Sequence, residues 1–372
     1  SSQISNLIQD CQQGLKKYPD TIKVLDKLSK DLQENILVLK KIISPSPTRL
    51  NIDNLQDYEN FKETYSSLIE KLALLGITLS RHSEENAELQ KLFERSTELN
   101  IKFNSWLKKD NQNNIYWLEV FGRTIQFNET PISIAEQFNK FQNKSDSAWI
   151  FTSATLSING SFDHFTKLLG LEKAMTQYLQ SPFNYGENTF LYVPKEIPDP
   201  KDALFNLVLV KKVLPLIKAS KGRAFILATS LKSMEEIGAL LKDELKKNKI
   251  GYPVITQGEG PKSDLLQQFK QYGNAVLIGS LSFWEGIDVR GSALSLVIID
   301  KLPFQSPGDP VFESKIKLLS DEGINAFISM QLPEAIIRLK QGVGRLIRDD
   351  QDKGVMVICD KRIIEKSYGI KI

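Results

Sequence analysis

Gln341-Gly-Val-Gly-Arg-Leu-Ile-Arg348 is the stretch whose residue types and spacing point most directly to chemistry. Arg345 and Arg348 are three apart, which on a helix sets two side chains on one face. Each guanidinium is permanently charged and planar, and its fork matches the oxygens of a phosphate. Gln341, one turn before Arg345, is placed to hydrogen-bond a polyphosphate or to adjust the arginine pair. Gly342 and Gly344 let a ligand or another backbone come close. Two glycines inside a helix cost about 1 kcal/mol each relative to Ala, which favours a functional reason for them. The structural alternative is surface ion pairing with Asp349, Asp350 and Asp352.

Three further stretches carry polar groups where an apolar run ends. Ile278-Gly-Ser-Leu-Ser-Phe-Trp-Glu-Gly-Ile-Asp288 offers Ser280, Ser282, Glu285, Gly286 and Asp288. Hydroxyls and backbone N–H groups of this kind hold nucleic-acid phosphates. The two carboxylates suit a ribose, a metal-bound water or the arginines. Phe283 and Trp284 are either a stacking platform for bases or, the reading we favour, buried packing. Phe151-Thr-Ser-Ala-Thr-Leu156 sets Ser153 and Thr155 at a strand end, where a simple polar turn is the alternative. Thr229 and Ser230 stand at a helix start, where an N-cap explains them and phosphate binding is the sharper option. No Gly-x-x-x-x-Gly-Lys-[Ser/Thr] loop and no Asp-Glu-x-His motif occurs in the chain, and neither His82 nor His164 sits in a hydrolase constellation.

The elements that must position these residues fall into two regimes. Leu32, Ile36, Leu39, Ile43 and Leu68, Leu72, Leu75, Leu79 recur at steps of three and four, so residues 1 to about 110 read as helical. Ser44-Pro-Ser-Pro47 breaks the pattern between two hairpins, and Glu84, Glu85, Glu88 and Lys91 read as a solvated face. Ile115–Phe121 and Thr124–Phe127 read as a hairpin, Pro131–Phe141 as a short helix, and Ala148–Leu156 as a buried strand running into a polar loop. From about Thr189 strands and helices alternate: Arg223–Thr229, Pro253–Gln257, Ala275–Gly279, Leu294–Asp300 and Val355–Asp360 are strands. Leu231–Lys247, Ser263–Tyr272 and a segment opening at Pro333 are helices. Such alternation gives a parallel sheet covered on both faces, with ligands beyond the carboxyl ends of its strands, and it puts the helix opening near Pro333, with Arg345 and Arg348, at that ligand-binding edge.

The 372 residues suit two or three domains, and 25% charged with 41% hydrophobic residues is an ordinary globular composition. A net charge of +3 excludes a polybasic protein and leaves any nucleic-acid binding to a local groove. Two cysteines, Cys11 and Cys359, exclude a disulfide scaffold or a Cys-ligated cluster built from this chain alone. No metal site is expected within it. No apolar run approaches ~18 residues, so we expect no membrane span. The first residues show no signal peptide and no initiating Met, and the expectation is a truncated chain.

Taken in order, Thr-Ser-Ala-Thr-Leu, Thr229-Ser230, Ser-Phe-Trp-Glu-Gly-Ile-Asp and Gln-Gly-Val-Gly-Arg-Leu-Ile-Arg resemble motifs III to VI of a superfamily 2 helicase. The spellings are similar to the XPD/DinG family, most of all its bacterial YoaA-type branch. Ile298-Ile-Asp-Lys-Leu-Pro-Phe304, Ser181-Pro-Phe and Asp360-Lys-Arg362 are similar to that family too. The resemblance implies an α/β fold: a RecA-like (P-loop NTPase type) helicase domain 2 over residues 189–372, a helical arch-like domain over 1–112, and the last piece of helicase domain 1 with a linker over 113–188. It implies ATP hydrolysis with Mg2+ coupled to 5′-to-3′ movement on single-stranded or forked DNA, a repair or replication partner, and a 4Fe-4S cluster in a first domain. It also implies a bacterial cytoplasmic, nucleoid-associated protein. The phosphate loop, magnesium motif and cluster cysteines belong upstream in that family, so the chain alone is expected to be inactive. By resemblance Arg345 and Arg348 are catalytic fingers, with Gln341, Gly344, Glu285, Gly286 and Asp288 around ATP. Thr229, Ser230, Ser280 and Ser282 touch DNA, and Ser153 and Thr155 couple the two. The competing reading is a non-catalytic DNA-binding or interaction module. A dinucleotide-binding enzyme would need Gly-x-Gly-x-x-Gly after a first strand, which is absent.

Overall fold

Leu25, Leu28, Leu32 and Leu39 repeat at helical steps, and in the computed structural model they lie buried along one helix. The structure describes residues 2–43, 48–55, 57–122, 124–144, 146–280, 283, 293–347, 349 and 351–372. In chain order the described helices are α1 (Ser2–Gly14), α2 (Pro19–Ile43), α3 (Tyr58–Ser80), α4 (Ala87–Lys108), α5 (Ala135–Gln142), α6 (Asp163–Leu169) and α7 (Tyr185–Asn188). They continue with α8 (Phe205–Ala219), α9 (Leu231–Lys247), α10 (Lys262–Tyr272), α11 (Pro310–Asp321), α12 (Leu332–Val343) and α13 (Arg362–Glu365). The strands are β1 (Thr48–Asn51), β2 (Asn114–Phe121), β3 (Thr124–Pro131), β4 (Thr189–Tyr192), β5 (Ala224–Leu227), β6 (Val254–Thr256), β7 (Val276–Gly279), β8 (Leu296–Ile299) and β9 (Gly354–Ile358).

The chain divides into two compact units, residues 1–136 with 306–324, and residues 137–305 with 325–372. The sequence reading drew its lines at 112 and 188 instead. In the first unit α1 to α4 bury one leucine-rich core, which includes Leu68, Leu72, Leu75 and Leu79 of α3 and Leu89, Leu92 and Leu99 of α4. Tyr65 packs on Phe103, Trp106 and Phe127, so the rings join the bundle to a small antiparallel sheet of order β1-β2-β3. Trp106 Nε1 donates to Asn128 O across 2.9 Å. β1 was not anticipated within the helical stretch. Pro45 and Pro47 break the helical period, and Thr48–Asn51 runs extended along β2, in register with Val120–Trp117.

Helix α11 lies in this unit although its sequence falls between β8 and α12. Asp309 caps it, accepting from Val311 N and Phe312 N at 3.1 and 3.0 Å. Asp309 also meets Arg49 Nη1 at 3.0 Å, and the Arg49 guanidinium lies 4.5 Å over the Trp117 ring. Asn51 Nδ2 donates to Ser314 Oγ at 2.8 Å. Part-exposed pairs of this kind contribute about 1 kcal/mol or less each, so they set register more than stability.

The second unit holds an all-parallel sheet of order β4-β9-β8-β5-β7-β6. Its central strands read as unbroken apolar runs because both faces are covered. Ile226, Ile278 and Ile298 face α8 and α9, whereas Phe225, Leu277 and Val297 face α10 and α12. One expectation fails here. Residues 148–153 form no strand, and Trp149, Ile150 and Phe151 are exposed. A strand exists only by pairing, and no described strand lies beside this run; its rings pack instead on Phe138, Phe141 and Phe165. Among the described residues no helix is long and apolar enough to cross a membrane.

Leu72 is fully buried at the centre of the first core. Leu72→Ala should cost about 2–5 kcal/mol through lost transfer energy and the cavity left behind. Thermal unfolding followed by circular dichroism checks this, with a clear fall in the midpoint of unfolding as the expected result.

Candidate functional site

All the parallel strands end on one edge, and there the chain leaves the hydrogen-bond ladder. After β5 come Thr229 and Ser230. Ser230 caps α9, its Oγ accepting from Ser233 N at 3.1 Å, as an N-cap residue does. Thr229 turns inward: its N–H donates to Asp300 Oδ1 at 2.9 Å, and its hydroxyl lies 3.3 Å from Oδ2. Asp300 follows β8 and is fully buried. Its Oδ1 also accepts from Lys301 N at 2.7 Å, and Ser233 Oγ lies 2.9 Å from Oδ2. Burial pushes this carboxyl up to about 6, against the opposing pull of Lys301 and of the hydrogen bonds from Ser233, Thr229 and Lys301. Two strands are thus tied by one carboxylate that sequence reasoning saw only as a letter in the Ile298–Phe304 motif.

The same device recurs beside it. Asp360, after β9 and fully buried, accepts from Leu302 N at 2.9 Å and from Arg362 N at 3.1 Å. The Arg362 guanidinium grips it, with Nη2 to Oδ2 at 2.6 Å, and that hydrogen bond raises the guanidinium's already high pKa. After β7, Ser280 is buried, and both its N–H and its hydroxyl donate to Gln257 Oε1, at 2.7 and 2.8 Å. Gln257 stands just past β6 and carried no sequence signal, because the contact joins residues 23 apart. Phe283 is buried, settling it as packing; a Cβ on Gly279 would come within 2.7 Å of the Phe283 Cβ, so a glycine is needed there. Ser282, Glu285, Gly286, Asp288 and Arg348 lie outside the described residues, as does Trp284.

Helix α12 passes this edge, where Arg338 Nη1, from the middle of the helix, donates to Pro303 O at 3.2 Å. Its 12 residues span about 18 Å at 1.5 Å per residue. The helix stops at Val343, so Gln341 is in its last turn and Arg345 is in the turn beyond it. That corrects the expectation of both arginines on one helix face: glycines at 342 and 344 weaken the helix at this point, and Gly344 caps it, its N–H bonding Lys340 O at 2.9 Å. It also corrects the expectation that α12 delivers Arg345 to the carboxyl edge. Leu346 and Ile347 are buried, and a Cβ on Gly354, the first residue of β9, would stand 2.4 Å from Leu346 Cδ1 and 2.9 Å from Ser295 O. Arg345 therefore emerges by the amino ends of β8 and β9, away from Thr229 and Ser280. Lys340 Nζ donates to Ser157 O at 3.1 Å, joining the helix to the loop in which Ser153 Oγ and Thr155 Oγ1 lie 3.2 Å apart.

The two cysteines do not fit an iron–sulfur cluster. Cys11 and Cys359 are buried in different units, and burial pushes the Cys11 thiol up to about 12 and raises that of Cys359 beside Asp300 and Asp360. Cluster ligands are thiolates, four to a cluster. Among the described residues no group of three or more His, Cys, Asp or Glu side chains is arranged to hold a metal ion.

A parallel six-stranded sheet with helices on both faces, a polar carboxyl edge and an arginine-bearing turn defines a RecA-like helicase domain. Residues 213–372 match a family described as "Helicase C-terminal domain". The chain is 39% identical over 348 residues to the ATP-dependent DNA helicase YoaA of Haemophilus influenzae, covering 92% of this chain and 52% of that protein. It is 38% identical to the Escherichia coli protein of that name, over 95% of this chain and 54% of the relative. A 3′-5′ exonuclease DinG of Bacillus subtilis is 34% identical over 63% of the chain and 26% of its own length. A solved structure titled "XPD_Helicase" has the same fold, with a TM-score of 0.57 at 18% identity over 98% of this chain and 61% of that one. These likenesses fit the XPD/DinG family and, within it, the YoaA-like branch. The chain spans about half the length of these two YoaA relatives.

Gly354 is the keystone under the arginine turn. Gly354→Ala should destabilise by about 1–3 kcal/mol, the usual cost of overpacking, and should displace Leu346. Backbone amide shifts of residues 344–347, compared between variant and parent, check the displacement.

Proposed function

We propose that the chain is the C-terminal part of an ATP-dependent DNA helicase that couples ATP hydrolysis to 5′-to-3′ movement along single-stranded or forked DNA in repair or replication. The observation that carries this reading is the identity of 38–39% to relatives named ATP-dependent DNA helicase, running along 92–95% of the chain. ATP with Mg2+ supplies the phosphoryl group, held chiefly by a phosphate loop and magnesium motif in an upstream segment. That segment also supplies the cysteines of a 4Fe-4S cluster. Arg345 and Arg348 reach that nucleotide from the second domain and neutralise charge that builds on the transferring phosphoryl oxygens. An arginine so placed is worth about 10³–10⁵ in rate. Gln341 and Gly344 flank the nucleotide, with Glu285, Gly286 and Asp288 opposite them.

DNA lies at the carboxyl edge in this scheme. Ser230 presents its hydroxyl and the helix-start N–H groups to backbone phosphates, a contact that reads no sequence, while Thr229, turned inward onto Asp300, holds the turn that carries it. Ser282 adds a further hydroxyl, and Ser280, turned to Gln257, holds the shape of its turn. Ser153 and Thr155 link the nucleotide to the DNA side, with Lys340 bridging their loop to α12. A bacterial cytoplasmic location near the nucleoid, and a replication or repair protein as partner, complete the proposal.

Two measurements test it. In the complete protein, Arg345→Ala and Arg348→Ala should each lower DNA-stimulated ATP turnover by orders of magnitude while DNA affinity changes little, because the arginines serve the transition state. Near-normal turnover would favour the non-catalytic module. The 372-residue chain alone should bind a labelled single-stranded oligonucleotide without base preference, and anisotropy titrations should show affinity falling on the order of tenfold or more between about 50 and 200 mM salt.

A further inference from the structure

Three described groups at the carboxyl edge are bound to Asp300 before anything else reaches them: Thr229 N, Thr229 Oγ1 and Lys301 N. A carboxylate with four lone-pair directions and four donors within reach is fully engaged only when ionised. Ser233 Oγ is the fourth donor, and it stands in the first turn of the helix that Ser230 caps. Thus one buried group fixes the turn after β5, the start of α9 and the turn after β8 together.

We propose that Asp300 is a positioning residue for DNA contact: its buried carboxylate locks the Thr229–Ser230 turn to the strand-end edge, and protonating it releases that turn. The role rests on the DNA reading of this edge given above. On protonation the carboxyl loses the charge that holds the Thr229 and Lys301 N–H groups, and Oδ2 becomes a donor, so that Thr229 Oγ1 or Ser233 Oγ must turn from donating to accepting. Thr229 and Ser233 then compete for the remaining acceptor sites. With the carboxyl pushed up to about 6, the switch falls inside an experimentally mild range.

The charged and titratable groups around Asp300 come from each packed element. Lys301 follows it directly, with its ammonium 5.3 Å from the Phe205 ring of α8. Cys359, just past β9, is held as the thiol by burial and by both aspartates. Asp360 lies beyond it and is gripped by Arg362. Glu236 of α9 is reached only through Asn206, whose Nδ2 donates to it at 2.8 Å while its Oδ1 lies 3.1 Å from Ser233 Oγ.

Two readouts on the 372-residue chain test the proposal. The first needs no variant: amide resonances of Thr229 and Lys301 should titrate together between about pH 5 and 8, with a midpoint near the carboxyl's value. Asp300→Asn removes one titrating group and leaves both histidines, and it should flatten both curves. In the second, affinity for a labelled oligothymidine should weaken on the order of tenfold as the pH falls through that midpoint, the scale of one lost charge-assisted hydrogen bond. The Asp300→Asn protein should bind weakly at every pH. Flat amide curves in the parent, or an Asp300→Asn protein that binds as tightly as the parent with the same pH profile, would overturn the positioning role. Titrating amides without any oligonucleotide binding would support the lock and sink the DNA reading of the edge.

Discussion

A parallel sheet points every carboxyl end the same way, and the backbone N–H groups just past those ends have lost their ladder partners. Burying them unpaired would cost roughly 1–3 kcal/mol each. This chain meets the constraint with side chains from neighbouring strands. Asp300 takes the N–H groups of Thr229 and Lys301, Asp360 those of Leu302 and Arg362, and Gln257 that of Ser280. Each acceptor belongs to a different strand end from at least one donor it serves, so the turns are fixed relative to one another. The polar edge that a ligand would meet is therefore a by-product of satisfying the sheet.

Much of the architecture was legible because burial writes itself into periodicity. The steps of three and four among Leu68, Leu72, Leu75 and Leu79 gave α3, and the apolar runs at 224–227, 276–279 and 296–299 gave central parallel strands. The run at 149–151 has the same composition and forms no strand. Composition reports that a segment would be buried in a sheet, not that a neighbouring strand is there to pair with it.

The candidate site was less legible, for a related reason. Residue types flagged Thr229, Ser230, Ser280 and Arg345, and spacing alone then placed the arginines on a helix and at the wrong edge. The position of Arg345 is set by Leu346 resting on Gly354, a contact between a turn and a strand start that no local pattern encodes. Asp300 and Gln257 escaped notice as working residues because their importance lies in partners 71 and 23 positions away.

Helix α11 carries a consequence for how the protein is made. Its residues are translated after most of the parallel sheet, yet they pack with the N-terminal unit against β1 and β2. The N-terminal unit is thus left unfinished on the ribosome until residue 324 has emerged. Until then Arg49 has no Asp309 and Asn51 no Ser314, and the nascent chain carries a half-covered three-stranded sheet through the synthesis of five further strands. At about 5–20 residues per second that interval lasts on the order of ten seconds or more, long enough for a chaperone to find the open face. Cutting the gene between the two units as consecutive segments would make that interval permanent.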